Sequence, residues 1–167
     1  MGDGSTIPSA APSDNVTFTV LVDGRELSGE CHVVSLVVTK MVNRITQARI
    51  VLLDGDAARE DFRLSSSALF VPGKSVEIQA GYHSQESTIF RGIIVKHAIK
   101  AGRRGPSTLV ADCRHEAVKL TVGRKSAYYH NMKDSDVCQA LLGSYLLSAD
   151  VDATAVQHRE LVQYACT

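Results

Sequence analysis

Asp112, His115 and Glu116 fall within one short stretch, and Cys113 lies between the first two. Carboxylates, imidazoles and thiols are the groups that ligate divalent metals or exchange protons during catalysis. On a strand, however, successive side chains point to opposite faces, so Asp112 and Cys113 would not share a site. The six histidines, His32, His83, His97, His115, His130 and His158, show no HxH or HxxxH spacing that would bring two imidazoles together. Gly73-Lys74-Ser75 matches the end of a phosphate loop, but Ala68 stands where the first glycine is needed and no helix signal follows. Ser65-Ser66-Ser67 lacks the GxSxG context of a nucleophilic serine. Arg103-Arg104 and Arg124-Lys125 form two small basic spots without interleaved aromatic residues to stack on bases. The residues therefore point to no catalytic, cofactor-binding or metal-binding position. A hydrolase using Asp112, His115 or a serine of the 65–67 run is the disfavoured alternative.

Composition sets similar bounds. The 167 residues fit one domain, or one domain and part of another. Hydrophobic residues make up 44%, enough for a real core, while aromatics are 5% and Trp is absent, so that core must be aliphatic. Lys+Arg and Asp+Glu each number 18. A chain balanced in this way has no bulk attraction to nucleic acid or anionic lipid, and little repulsion to keep copies apart. Cys31, Cys113, Cys138 and Cys166 are widely spaced and are expected to be free, buried thiols. No hydrophobic leader and no apolar run approaching ~18 residues is present, so neither a signal peptide nor a transmembrane segment is expected.

The elements that would position these side chains are strands. Residues 1–15 are rich in Gly, Ser, Pro and Ala and read as a disordered lead-in. Val16–Val22 alternates, and Asp23-Gly24 follows as a tight-turn signal before a return strand over 25–30. Cys31–Lys40 and Ile45–Leu53 read as further strands, and 57–69 as a loop with one helical turn. Val76, Ile78, Ala80 and Tyr82 alternate with Glu77 and Gln79. A polar turn over 83–87 then leads into a long strand over 90–100, which has Gly92 inside it. A glycine within a strand marks a bulge, a close backbone approach or simply a bend at a barrel corner. Ser107–Arg114 returns as the partner, with 117–122 as its continuation past a bend. This pattern predicts an antiparallel β-barrel or sandwich over 16–125. The character then changes over 126–167. Tyr128–His130 reads as a short strand. An amphipathic helix over 135–148 starts from Asp134 or Ser135 as N-cap and carries Val137, Cys138, Leu141, Leu142 and Tyr145 on one stripe. A strand or short helix over 157–167 follows. These pieces are expected to form an incomplete second domain, with 150–167 poorly anchored.

Four stretches carry a family resemblance in order along the chain. They are the hairpin from Val76 to Ile94, the segment Met41–Ile50, the run Met132–Val137, and Gln157–Tyr164. Together they resemble the N-terminal hub region of VgrG (Rhs element Vgr) proteins, the spikes of type VI secretion systems. They are also similar to contractile phage-tail baseplate hub and late control D proteins. The resemblance implies a mainly β (α+β overall) fold like a phage-tail tube or hub domain, no enzymatic activity and no cofactor. It implies a homotrimer of tandem barrels, a pseudo-sixfold ring that caps a hexameric tube protein. It likewise implies cytoplasmic assembly followed by release through the secretion apparatus, with neither nucleic acid nor a small-molecule substrate as partner. An autonomous β-barrel binding or adaptor module, or a phage-tail hub protein, is the alternative.

Overall fold

The computed structural model describes residues 16–55, 61–83, 85–101, 106–148 and 150–166. The expected disordered lead-in and the Arg103-Arg104 spot lie outside them. Nine strands, β1 (Val16–Val22), β2 (Arg25–Glu26), β3 (Val33–Thr39), β4 (Gln47–Leu53), β5 (Ser75–Tyr82), β6 (Gln85–Lys100), β7 (Thr108–Arg114), β8 (Lys125–Lys133) and β9 (Gln157–Cys166), dominate the described residues. Among them run a single helical turn, α1 (Arg63–Ser66), a 3-10 helix (Glu116–Thr121) and one longer helix, α2 (Asp134–Ser144).

The first seven strands form one sheet in the order β2-β1-β5-β6-β7-β4-β3, and every adjacent pair is antiparallel. Val20 and Val22 near one end of that order share a core with Ile50 and Leu52 near the other. Ile78, Phe90, Ile94, Leu109 and Cys113 fill the space between, and Leu36 and Val38 of β3 pack against the cluster. Residues at opposite ends of a sheet can meet only if the sheet curls over its own inner face, so the architecture is barrel-like. No backbone ladder joins β3 to β1 among the described residues. Phe70, from the loop before β5, plugs the core and is fully buried.

Local chemistry explains several element ends. Asp23 and Gly24 both have positive φ, as a two-residue type I′ turn requires. The return strand is shorter than the alternation suggests. Only Arg25 and Glu26 pair with β1, and Leu27 then turns inward while its N–H still reaches the Val20 carbonyl at 2.8 Å. The polar run after Tyr82 is mostly strand. Tyr82 already pairs with Gln85, so the turn is tight, and His83 takes up the left-handed backbone. The continuation expected at 117–122 is instead the 3-10 helix. His115 Nδ1 accepts the Ala117 N–H at 3.2 Å and caps that turn, which diverts the chain off the sheet.

β6 is the organising strand. Its first half pairs with β5 and its second half with β7. A register shift lies between Ile94 and Lys96. An extra residue in one strand flips the faces that follow. Phe90, Gly92 and Ile94 point inward before the bulge; afterwards His97 sits opposite buried Ala111 and Lys96 faces out. Gly92 marks a close approach. A Cβ there would lie 2.7 Å from both the Arg114 carbonyl carbon and Phe90 Cζ, and nearer still to the Arg114 carbonyl oxygen.

Beyond the sheet, β8 and β9 form a separate antiparallel hairpin that pairs Tyr129 with Leu161 and Lys133 with Gln157. The terminal element is thus a ten-residue strand laddered to β8, with no fully buried side chain. α2 is shorter than the expected 135–148. Its N-cap is Lys133, with the Asp136 carboxylate accepting the Lys133 N–H at 3.1 Å. It ends in a Schellman pattern, in which Leu147 N–H bonds the Leu142 carbonyl and Leu146 N–H the Gly143 carbonyl. Leu146 takes the positive-φ position usually given to glycine.

Candidate functional site

The predicted cluster around Asp112 separates into three unrelated arrangements. Asp112 accepts from Arg49 Nε at 2.7 Å on the outer face of the sheet. His115 caps the 3-10 helix, and Glu116 pairs with Lys119 at 2.9 Å. Cys113 points the other way, into the core, as strand alternation requires. Burial, with a smaller push from the Asp112 charge, raises the Cys113 thiol to about 12, so it stays protonated at neutral pH. Among the described residues no group of three His, Cys, Asp or Glu side chains is placed to hold a metal. The four thiols are free, as expected, but only Cys113 is buried; Cys138 and Cys166 are exposed and Cys31 is intermediate. Cys138 falls off the buried stripe because α2 buries little beyond Ser135 and Val137.

Lys74 and the 65–67 serines have structural partners. Lys74 Nζ lies 3.0 Å from Asp23 Oδ2, and Asp23 Oδ1 accepts the Ser75 N–H at 3.0 Å. These contacts tie the β1–β2 turn to the start of β5. Lys74, then Ser75, hold the Asp23 carboxyl below its ordinary range. Ser65 donates its hydroxyl to Asp54 and its N–H to Asp54 Oδ2 at 2.7 Å. Asp54 is only 5% exposed and also accepts from the Leu64 and Gly55 N–H groups. Burial pushes its pKa up, but the bonds from Ser65, Leu64 and Gly55 outweigh that and leave it below the usual range. The Asp54-Gly55-Asp56 sequence signals a turn; the capping of a helical turn ten residues away has no local spacing to reveal it. His97 likewise carries no sequence signal, yet its Nδ1 sits 2.9 Å from the Phe70 carbonyl and fixes the plug loop to β6.

Two outward faces remain. On the β5–β6 hairpin, Glu77 accepts from Arg91, from Gln79 Nε2 at 2.9 Å and from Thr88 Oγ1 at 2.7 Å. Arg91 first, then Gln79 and Thr88, draw its carboxyl down to about 2. On the opposite flank, β3, β4, β7 and the bulge of β6 frame a hollow of about 410 Å³. It adjoins a second one of about 670 Å³ through Thr39, Gln47 and Arg114, which line both. Both are open depressions on the outer surface of the sheet rather than enclosed clefts.

Comparison with known proteins agrees with the architecture. The model of the Alg8 N-terminal domain family matches residues 12–167. The chain belongs to that family. No curated protein matches it in sequence. Among solved structures, the prophage MuSo2 43 kDa tail protein from Shewanella oneidensis superposes with a TM-score of 0.62 at 7% identity. That match covers 90% of this chain and 44% of the tail protein. A tail protein from Neisseria meningitidis MC58 gives a TM-score of 0.51 at 18% identity, over 77% of this chain and 33% of its own. At such identities the likeness is one of fold: this family member is built like phage-tail proteins, and it spans less than half the length of those it matches. Among the described residues no helix is long and apolar enough to cross a membrane.

Proposed function

We propose that this chain is a structural subunit of a phage-tail-like contractile assembly, specifically the hub of a type VI spike, and that it works by joining copies of itself rather than by turnover. Three chains would form a ring of near-sixfold shape and seat it on a hexameric tube, before release through the apparatus. The observation that carries the reading is the antiparallel, barrel-like fold, which superposes on one tail protein over 90% of this chain and on another over 77%. It is supported by the bonding of Asp112, His115, Glu116, Lys74 and Ser65 to structural partners. A phage-tail hub is the second reading, favoured by the description of both superposed structures as tail proteins.

The experiment is sedimentation velocity of the purified chain across a concentration series, alone and with a hexameric tube protein of a type VI system. A trimer, or co-sedimentation with the tube, is expected. A chain that stays monomeric, ignores the tube and hydrolyses a peptide or ester substrate would replace this reading with an enzymatic one.

A further inference from the structure

The double hollow on the β3–β4–β7–β6 flank has a charge pattern that its architecture does not need. Arg49, Lys96 and Arg114 line the first part and Arg44 the second, and Asp112 is the only carboxylate in either lining. Asp112 is already engaged by Arg49. Lys96, Arg114 and Arg44 are all exposed and have no ion-pair partner among the described residues. Cross-strand register explains why they converge. Arg49 lies opposite Asp112 and Asp112 opposite Lys96, while Gln47 lies opposite Arg114, so the groups form two adjacent rows on one face. The bulge between Ile94 and Lys96 turns Lys96 outward into the first row. Three unpaired cations in a neutral chain leave a strong local positive field.

Apolar side chains flank the cations. Val37, Val95 and Met41, all exposed, line the hollow, and exposed Val42 adjoins it. No aromatic side chain lines it, so nothing there can stack on a base. Positive charge mixed with aliphatic surface matches a polypeptide that carries carboxylates and aliphatic side chains. Four neighbouring strands span roughly 14 Å, enough for about four extended residues. We propose that this hollow docks a short, extended acidic segment of another protein, whose carboxylates meet Lys96, Arg114 and Arg44 and whose aliphatic side chains lie on Val37 and Met41.

The test uses fluorescence anisotropy with three labelled probes: a decapeptide alternating glutamate and valine, the same peptide with lysine for glutamate, and a single-stranded oligonucleotide. The glutamate peptide is expected to bind with a Kd below about 100 µM at low salt and to weaken as salt rises. The lysine peptide and the oligonucleotide are expected to bind at least about tenfold more weakly. The double variant Lys96→Glu/Arg114→Glu should lose about tenfold or more for the glutamate peptide. Arg159→Glu, an exposed cation of β9 outside the hollow, should change nothing. Circular dichroism establishes that each variant is folded. Arg44→Gln, in the loop before β4, provides a milder second variant should the double one misfold. The proposal is overturned if the oligonucleotide binds as tightly as the glutamate peptide, or if removing the cations leaves peptide binding intact. It is equally overturned if those variants alter only self-association in sedimentation.

Discussion

The seven-stranded sheet and the helix–hairpin unit that follows it are held together by different means. The sheet encloses a mainly aliphatic core in which Ile50, Leu52, Ile78 and Leu109 are fully buried alongside Phe70. Beyond β7, Val137 is the single buried hydrophobic residue among those described, while Tyr128, Leu146 and Tyr164 are 73%, 94% and 80% exposed. The second unit therefore depends on its β8–β9 ladder, the cap of α2 and contacts such as Lys125 Nζ 4.2 Å above the Tyr145 ring. Packing makes the first region sensitive to single atoms. Local hydrogen bonding leaves the second tolerant of side-chain changes and quicker to open.

Glycine substitution gives the widest contrast. Gly92→Ala places a Cβ against the Arg114 carbonyl and the Phe90 ring, and both sit in a close-packed interior. A loss of about 4 kcal/mol or more, with a matching fall in Tm, is expected. Gly143→Ala in α2 meets nothing within 4 Å, and should instead stabilise by about 0.5–1 kcal/mol through helix propensity. Equal effects at the two sites would erase the distinction. Core truncation comes next. Ile50→Ala should cost about 3 kcal/mol in urea unfolding, whereas Val162→Ala on the exposed face of the hairpin should stay within about 0.5 kcal/mol.

The strands were largely legible before the fold was known, because residues such as Ala48, Ile50 and Leu52 alternate cleanly and do face the core. Three features were not legible, each for a physical reason. The bulge near Val95 reverses the inward parity of β6, and no period-two count can detect an insertion that depends on the partner strand. The 3-10 helix at 116–121 spells like a strand and is diverted by a histidine cap. The length of α2 was overread because Leu146 and Leu147 continue the apolar spacing beyond the point where the backbone has already turned. At the site, the dispersal of Asp112 and Cys113 followed from alternation alone. The roles of Asp54 and His97 are set by contacts ten and 27 residues away, which no local pattern encodes.

Two smaller effects sharpen the contrast. Leu146→Gly relieves a left-handed backbone at a side chain that packs on almost nothing. It should stabilise α2 by about 1 kcal/mol, measured as helicity retained on heating. On the sheet, Glu77 titrates near 2 when folded and near the ordinary 4.5 when unfolded. Its contribution is therefore complete above about 4.5 and is lost as pH falls towards about 2. Glu77→Gln should lower Tm slightly at neutral pH, and the gap from the parent should close through that window. A gap independent of pH would assign the effect to packing.

The shared strand also bears on how the molecule would carry a mechanical load. Because the two halves of β6 are laddered to different neighbours, tension along its axis is perpendicular to the bonds of both ladders. Sliding it would mean rupturing many of those bonds together. The β8–β9 hairpin, pulled apart from its open end, would unzip one rung at a time. Under load the sheet would be the part suited to transmit force, and the hairpin the part that yields.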